Sequence, residues 1–272
     1  MFRLSRRTVP AAIAVAVTFG ALSSDAAATE AVKLHAAGSL KAALTELAKD
    51  YQSTKGVQVE ATFGPSGLLK DRLEKGEPGD VFASANMEHP RALSDAGRSG
   101  PVRPFARNQL CAIAQPELDV TPATLLERML DPKVRVGTST PKADPAGDYA
   151  WDLFRKADAV RPGSLNALDA KALKLTGGPD SAKPPEGRNP YAWVMGERQA
   201  DLFLTYCTNA RLAAKEVPAL KIVAVPAELA VGAEYGLTVL KAADTVRGEA
   251  LADYILSPAG QAVLERHGFA RP

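Results

Sequence analysis

The sequence predicts an α/β protein built from two successive units. Three observations predict it. Short apolar segments alternate with stretches whose apolar residues recur every three or four positions, as strands separated by helices do. The alternation runs through once, breaks near residue 100 and restarts at Leu110. Residues 176–189 are dense in glycine and proline and interrupt the second run as an exposed loop.

Residues 32–36 read as a strand, after which Leu40, Leu44, Leu47 and Tyr51 recur at helical spacing. Beyond Gly56, the residues Val57, Val59, Ala61 and Phe63 alternate as in a strand. Leu69 and Leu73 mark a short helix stopped at Gly76. Residues 80–84 read as a third buried strand with a helix over 87–96 behind it. The order βαβαβ implies a parallel sheet covered by helices. In the second unit the spacing predicts a strand over 110–114, a helix over 124–130 and a strand over 134–136. Asp144-Pro145-Ala146-Gly147 then opens a helix patterned over 149–156, and another helix starts at Pro190. Strands follow at 202–206, 220–225 and 235–240. Two helices close the chain, the last with Ser257 as cap, Pro258 at its first position and Gly268 past its end. This tail has no sheet of its own, so it is expected to return to the first unit. Residues 29–107 and 241–272 then form lobe one, and residues 108–240 lobe two.

The first 28 residues read as a secretory signal. Arg3, Arg6 and Arg7 precede an apolar run, and Ala26-Ala27-Ala28 supplies a small-residue cleavage site near Ala28. The run is too short to span a bilayer well and contains Pro10. Ser5-Arg6-Arg7 leaves the twin-arginine and general export routes both open. The full chain has 33 basic and 31 acidic residues; the segment holds three arginines and Asp25, which leaves 30 of each. A chain without net charge carries no electrostatic footprint for nucleic acid or an anionic membrane surface. Cys111 and Cys207 both fall in apolar segments. Two readings stay open for them: a disulfide formed in an oxidising compartment, or two buried thiols.

Metal and cofactor signatures are absent. His35, His89 and His267 have no metal-ligand spacing, and there is no GxGxxG or Walker loop. Gly64-Pro65-Ser66-Gly67-Leu68 departs from a nucleophile elbow at its fifth residue. A secreted serine hydrolase using Ser66 is thus an alternative that lacks a fitting histidine. What the chain does have is small polar residues where strands give way to helices. Ala37-Gly38-Ser39 and Gly64-Pro65-Ser66-Gly67 open the first two helices, and Asp144-Pro145-Ala146 and Asn189-Pro190 open two more. A helix start offers unpaired N–H groups and the positive end of the helix dipole. Serine adds a hydroxyl donor, and glycine lets the backbone come close. Together these make an anion site that needs no charged side chain. Each start alone is more commonly a plain cap; the joint pattern carries the reading.

At Ala37-Gly38-Ser39-Leu40 and Phe63-Gly64-Pro65-Ser66-Gly67-Leu68 the sequence resembles the periplasmic molybdate-binding proteins of ABC importers. The resemblance continues through Gly79-Asp80-Val81-Phe82-Ala83-Ser84-Ala85, Asn108-Gln109-Leu110, Val136-Gly137 and Pro145-Ala146-Gly147-Asp148-Tyr149-Ala150. It ends with Leu204-Thr205-Tyr206 and with Ser257-Pro258-Ala259-Gly260 and Gly268-Phe269. It implies two Rossmann-like lobes joined by crossover hinge strands, with the ligand in the cleft between them. It implies a periplasmic, monomeric binding protein that captures molybdate or tungstate, needs no cofactor, and passes its ligand to the membrane permease of an importer. By the same resemblance Ser39 and Ser66 supply hydroxyls, Ala146 a backbone N–H and Tyr206 its phenol. A last backbone N–H comes from Arg188 or Asn189, since Pro190 has none to give. The metal is held through its oxygens, with no side chain bonded to it directly.

The chain departs from the family pattern at Arg188, where a small or apolar residue is usual, and at Asn86, where aspartate is common. An arginine there could add a charge-assisted bond to an anion or point to solvent. Molybdate and tungstate are dianions that only accept hydrogen bonds, so a cage of neutral donors suits them. Protonated phosphate also needs an acceptor such as an aspartate. Asp144 and Asp148 stand near the site, with Asp144 read as the helix cap. Another oxyanion, or a small organic acid placed by Arg188, is the alternative ligand.

Overall fold

The structure, a computed structural model, describes residues 1–2, 30–241 and 245–272. The expected signal segment, beyond its first two residues, and its cleavage site lie outside the described residues. The chain begins β1 (Val32–Ala37), a 3-10 turn (Gly38–Leu40), α1 (Lys41–Lys55), β2 (Val59–Gly64), α2 (Ser66–Glu74), β3 (Val81–Ser84) and α3 (Glu88–Asp95). It continues with β4 (Arg103–Ala114), α4 (Leu125–Leu130), β5 (Val136–Ser139), α5 (Pro145–Val160), α6 (Ser164–Lys171), β6 (Leu173–Thr176) and α7 (Pro190–Gly196). Then come β7 (Leu202–Tyr206), α8 (Cys207–Glu216), β8 (Lys221–Ala224), β9 (Gly232–Val239), α9 (Thr245–Leu256) and α10 (Pro258–Arg266).

This is an α/β fold with one mixed sheet in the order β2-β1-β3-β9-β4-β7-β5-β6, and β8 also pairs with β4. The β1–β2 and β1–β3 pairs are parallel, as the two helical crossovers require. Strand β9 lies antiparallel to both β3 and β4. The long strand β4 serves both halves of the sheet. Its residues 103–109 pair with β9, and its residues 110–114 pair with β7. The two halves of the sheet therefore meet along a shared strand.

Ala43, Leu44, Leu47 and Tyr51 form the buried stripe of helix α1, and Gly56 ends it in the left-handed conformation. Each such leucine, fully buried, contributes roughly 1.5–3 kcal/mol. The closing helices pack on α1, and Tyr254 of α9 meets Tyr51 edge-on with ring centroids 5.1 Å apart. One large core runs through both halves, including Leu34, Val81, Phe105, Phe154 and Leu204. A smaller core under α7 and α8 gathers Ile113, Tyr191, Met195 and Phe203. The two cysteines lie in this smaller core and form a disulfide, Cys111–Cys207, that joins β4 to the start of α8. Of the two readings left open by the sequence, the structure takes the bonded one.

Several elements differ from the sequence expectation. Strand β4 begins at Arg103, seven residues early, because Arg103, Arg107, Asn108 and Gln109 mask its alternation. Helix α8 went unread because its sequence, CTNARLAAKE, buries only small or polar residues: Cys207, Thr208, Asn209, Ala210 and Ala213. Helix α6 and strand β6 fill the stretch before the Gly/Pro-rich loop, where α6 buries only Ser164 and Leu168.

Candidate anion-binding cleft

A cavity of about 1160 Å³ opens between the two halves. Among the residues expected to bind ligand, Ser39, Ser66, Arg188, Asn189 and Tyr206 line it; Ala146 is fully buried and does not.

The first wall is formed by the turn before α1 and by the start of α2. Neither start has a side-chain cap. Ser66 Oγ accepts a hydrogen bond from the Ala85 N–H at 3.1 Å. A hydroxyl has one proton and two acceptor sites, so the Ser66 proton remains to donate into the cavity. Ser39 Oγ lies 3.0 Å from the Tyr235 hydroxyl. Burial pushes the Tyr235 phenol well above its ordinary value, so it stays protonated. Asn108 Nδ2 donates to the same phenol oxygen at 3.3 Å and to Thr208 Oγ1 at 2.8 Å. When Tyr235 donates to Ser39, Ser39 keeps its own proton for a ligand. Asn108 on β4 and Tyr235 on β9 thus hold Ser39 from behind, through the shared strands.

The second wall is built differently: the donors expected to reach a ligand from it have partners within the protein. The Ala146 N–H donates to Asp144 Oδ1 at 3.0 Å. The Arg188 N–H donates to the Pro185 carbonyl at 3.1 Å. The Asn189 N–H donates to Glu216 Oε2 at 2.8 Å, and the Arg188 guanidinium is ion-paired with the same carboxylate. Asn189 Oδ1 caps α7 by accepting from the N–H groups of Tyr191 and Ala192. The Tyr206 hydroxyl donates across the cleft to the Ala85 carbonyl at 3.1 Å. Each donor expected from this wall is already satisfied within the protein. The acceptors are the Asp144 and Glu216 carboxylates and the Pro185 and Ala85 carbonyls.

Asp144 lines the cavity. Burial pushes its carboxyl up to about 6; bonds from the Ala146 N–H and the Ser139 hydroxyl oppose the rise, and the like charge of Asp148 adds to it. Gly177, at φ 76°, packs against Asp144: a Cβ there would lie 2.5 Å from Asp144 Oδ2. The walls also touch directly. The Gly67 N–H donates to the Ala143 carbonyl at 2.9 Å. A Cβ on Gly67 would lie 2.1 Å from the Lys142 carbonyl oxygen, so only glycine permits this approach.

Tyr235, Asn108, Ala85 and Glu216 are the functional neighbours that sequence reasoning missed. Asn108 stood in a resembling motif but without a role. Ser66 has the Ala85 amide as its bonded partner, while His35 and His267 are paired with Glu77 and Glu46. Among the described residues no cluster of histidine, cysteine and carboxylate side chains could hold a metal ion. No helix among them is long and apolar enough to cross a membrane.

Two α/β halves with a shared strand, and a cleft onto which helix starts open, define a bilobed solute-binding fold. The chain belongs to the bacterial extracellular solute-binding protein family, whose model matches residues 32–270. It is 38% identical to the uncharacterized protein PM1146 of Pasteurella multocida (strain Pm70), over 88% of this chain and 98% of that one. It is 27% identical to the molybdate-binding protein ModA of Escherichia coli (strain K12), over 95% of each chain. In fold it is similar to the sulfate-binding protein SubI of Mycobacterium tuberculosis H37Rv, with a TM-score of 0.72 at 16% identity, over 89% of this chain and 86% of that one.

Proposed function

We propose that this chain is a periplasmic solute-binding protein that captures an oxyanion in the interlobe cleft and delivers it to the membrane permease of an ABC importer. Residues 30–107 with the tail helices act as one lobe and the intervening residues as the other, monomeric and moving about β4 and the entry to β9. The observation that carries the reading is the first wall: two uncapped helix starts with Ser39 and Ser66, both of which line the shared cavity. Donors fixed before the ligand arrives suit an anion that can only accept. Molybdate and tungstate are the first ligands to test; support for them comes from the ModA relative and the matching motifs. A ligand bound only by the folded state raises the melting temperature. Molybdate or tungstate is expected to do so in the wild type and to do so less in Ser39→Ala and Ser66→Ala. Unchanged melting with both at millimolar concentration excludes them.

A second reading, another oxyanion or a small organic acid, is favoured by the size of the cavity and by the Asp144 carboxylate on its surface. Arg188 does not carry that reading, because its guanidinium is engaged by Glu216.

A further inference from the structure

The first wall accounts for one oxyanion and leaves most of the cavity unexplained. At about 30 Å³ per oxygen, water's share of its liquid, a four-oxygen anion takes about 120 Å³. The cavity measures about 1160 Å³. Its remainder lies toward Trp193, Leu212 and the loop at Pro179 and Pro184. Lys41, Lys183 and Lys215 also line it, and among the described residues none of the three is ion-paired.

Asp144 is the second unexplained feature. A carboxylate offers about four acceptor sites. The Ala146 N–H and the Ser139 hydroxyl occupy two of them. The charged neighbour that acts on it, Asp148, has the same sign, and the Tyr191, Tyr206 and Tyr235 phenols around it are neutral. A bare dianion brings no proton to such a group and adds repulsion. A ligand with its own O–H supplies the donor that the carboxylate lacks and offsets part of that repulsion.

We propose that the solute is a substituted oxyanion, a small phosphate monoester bearing a hydroxyl group, with its phosphoryl group at Ser39 and Ser66 and its hydroxyl donated to Asp144. The proposal rests on the oxyanion reading above and narrows it to one class. The first wall holds the phosphoryl oxygens, Asp144 reads the substituent, and the outer cavity gives the substituent room. The elevated proton affinity of the Asp144 carboxyl fits a group that lacks a partner until the ligand supplies one.

Calorimetric titration of the full chain with glycerol 3-phosphate, inorganic phosphate and molybdate tests it, on the wild type and on Asp144→Asn. Asparagine keeps the helix cap and removes the charge. The wild type is expected to bind glycerol 3-phosphate at least tenfold more tightly than molybdate. In Asp144→Asn the ratio of the two affinities, measured on the same folded sample, is expected to fall at least tenfold as molybdate tightens. Tighter binding of molybdate than of glycerol 3-phosphate by the wild type overturns the proposal and leaves the oxyanion reading intact. A ratio unchanged in Asp144→Asn overturns the role of Asp144. Binding of none of the three anions overturns the proposal together with the reading beneath it.

Discussion

The two walls of the cleft start from the same device and end with opposite chemistry. On the first wall the helix starts at Gly38 and Ser66 have no side-chain cap, and the serines there keep protons to give. On the second wall α5 and α7 are capped by Asp144 and Asn189, and Glu216 takes the Asn189 N–H and the Arg188 guanidinium. A cap satisfies a helix and, in doing so, withdraws its donors from any ligand. The first wall therefore presents donors, while the second presents acceptors and room.

The largest expected effect separates the walls by stability. The disulfide lies on the second wall's side and closes a loop with a sequence separation of 96. Loop-closure entropy gives about 4–5 kcal/mol for such a link. Cys111→Ser with Cys207→Ser is expected to lower unfolding free energy by that order in denaturant titration. A loss below about 1 kcal/mol would show that the second wall does not depend on its staple.

A substitution at the contact of the walls comes next. Gly67→Ala puts a Cβ against the Lys142 and Ala143 carbonyls, both backbone atoms that cannot swing aside. Overpacking of this kind costs about 1–3 kcal/mol. Here the cost falls on closure, so ligand affinity is expected to drop about tenfold or more and small-angle scattering to show a more open particle. Wild-type affinity in Gly67→Ala would mean that this approach is not required for binding.

The pH dependence of stability sharpens the contrast on the second wall. Asp144 has its folded value raised from 3.8 to about 6, chiefly by burial. Across that window the folded chain holds more of this proton than the unfolded chain does. Its contribution is therefore complete below about 4 and is lost as pH rises to about 6. The cost to wild type is on the order of 1–3 kcal/mol. Asp144→Asn, which keeps the cap, is expected to gain melting temperature over the wild type between pH 4 and pH 7. A constant difference across that range would show that the carboxyl titrates elsewhere.

The smallest effect concerns Arg188. Its pair with Glu216 is partly exposed, and such pairs contribute about 0–1 kcal/mol. Arg188→Ala is expected to leave melting and ligand affinity nearly unchanged in thermal-shift titration. A tenfold loss of affinity would move Arg188 into the ligand shell.

What the sequence made legible follows from range. Ser39 and Ser66 were readable because their roles depend on neighbours in the chain: a strand end, a glycine, a helix start. Asp144 was readable as a cap for the same reason, since the N–H it caps is only two residues on, at Ala146. That this cap and the cavity lie side by side is seen only in the structure. Tyr235 and Glu216 act on Ser39 and Asn189 across separations of 196 and 27 residues, which no local pattern encodes. In the fold, β1, β3 and α1 declared themselves through continuous or periodic apolar residues, whereas the front of β4 is polar because Arg107 and Gln109 are exposed and Arg103 pairs with Glu249 and Asp253.

The central claim is that the first wall holds the anion. Its most direct test is calorimetric titration of whichever oxyanion binds the wild type into Ser39→Ala/Ser66→Ala and, in parallel, into Arg188→Ala. Two lost donors, at about 1.4 kcal/mol per factor of ten and about 1–2 kcal/mol each, predict a loss of about a hundredfold in the serine double variant. Arg188→Ala is predicted to stay within about threefold of wild type. Retained affinity in the serine double variant, with the loss falling on Arg188→Ala instead, contradicts the claim and places the anion on the second wall.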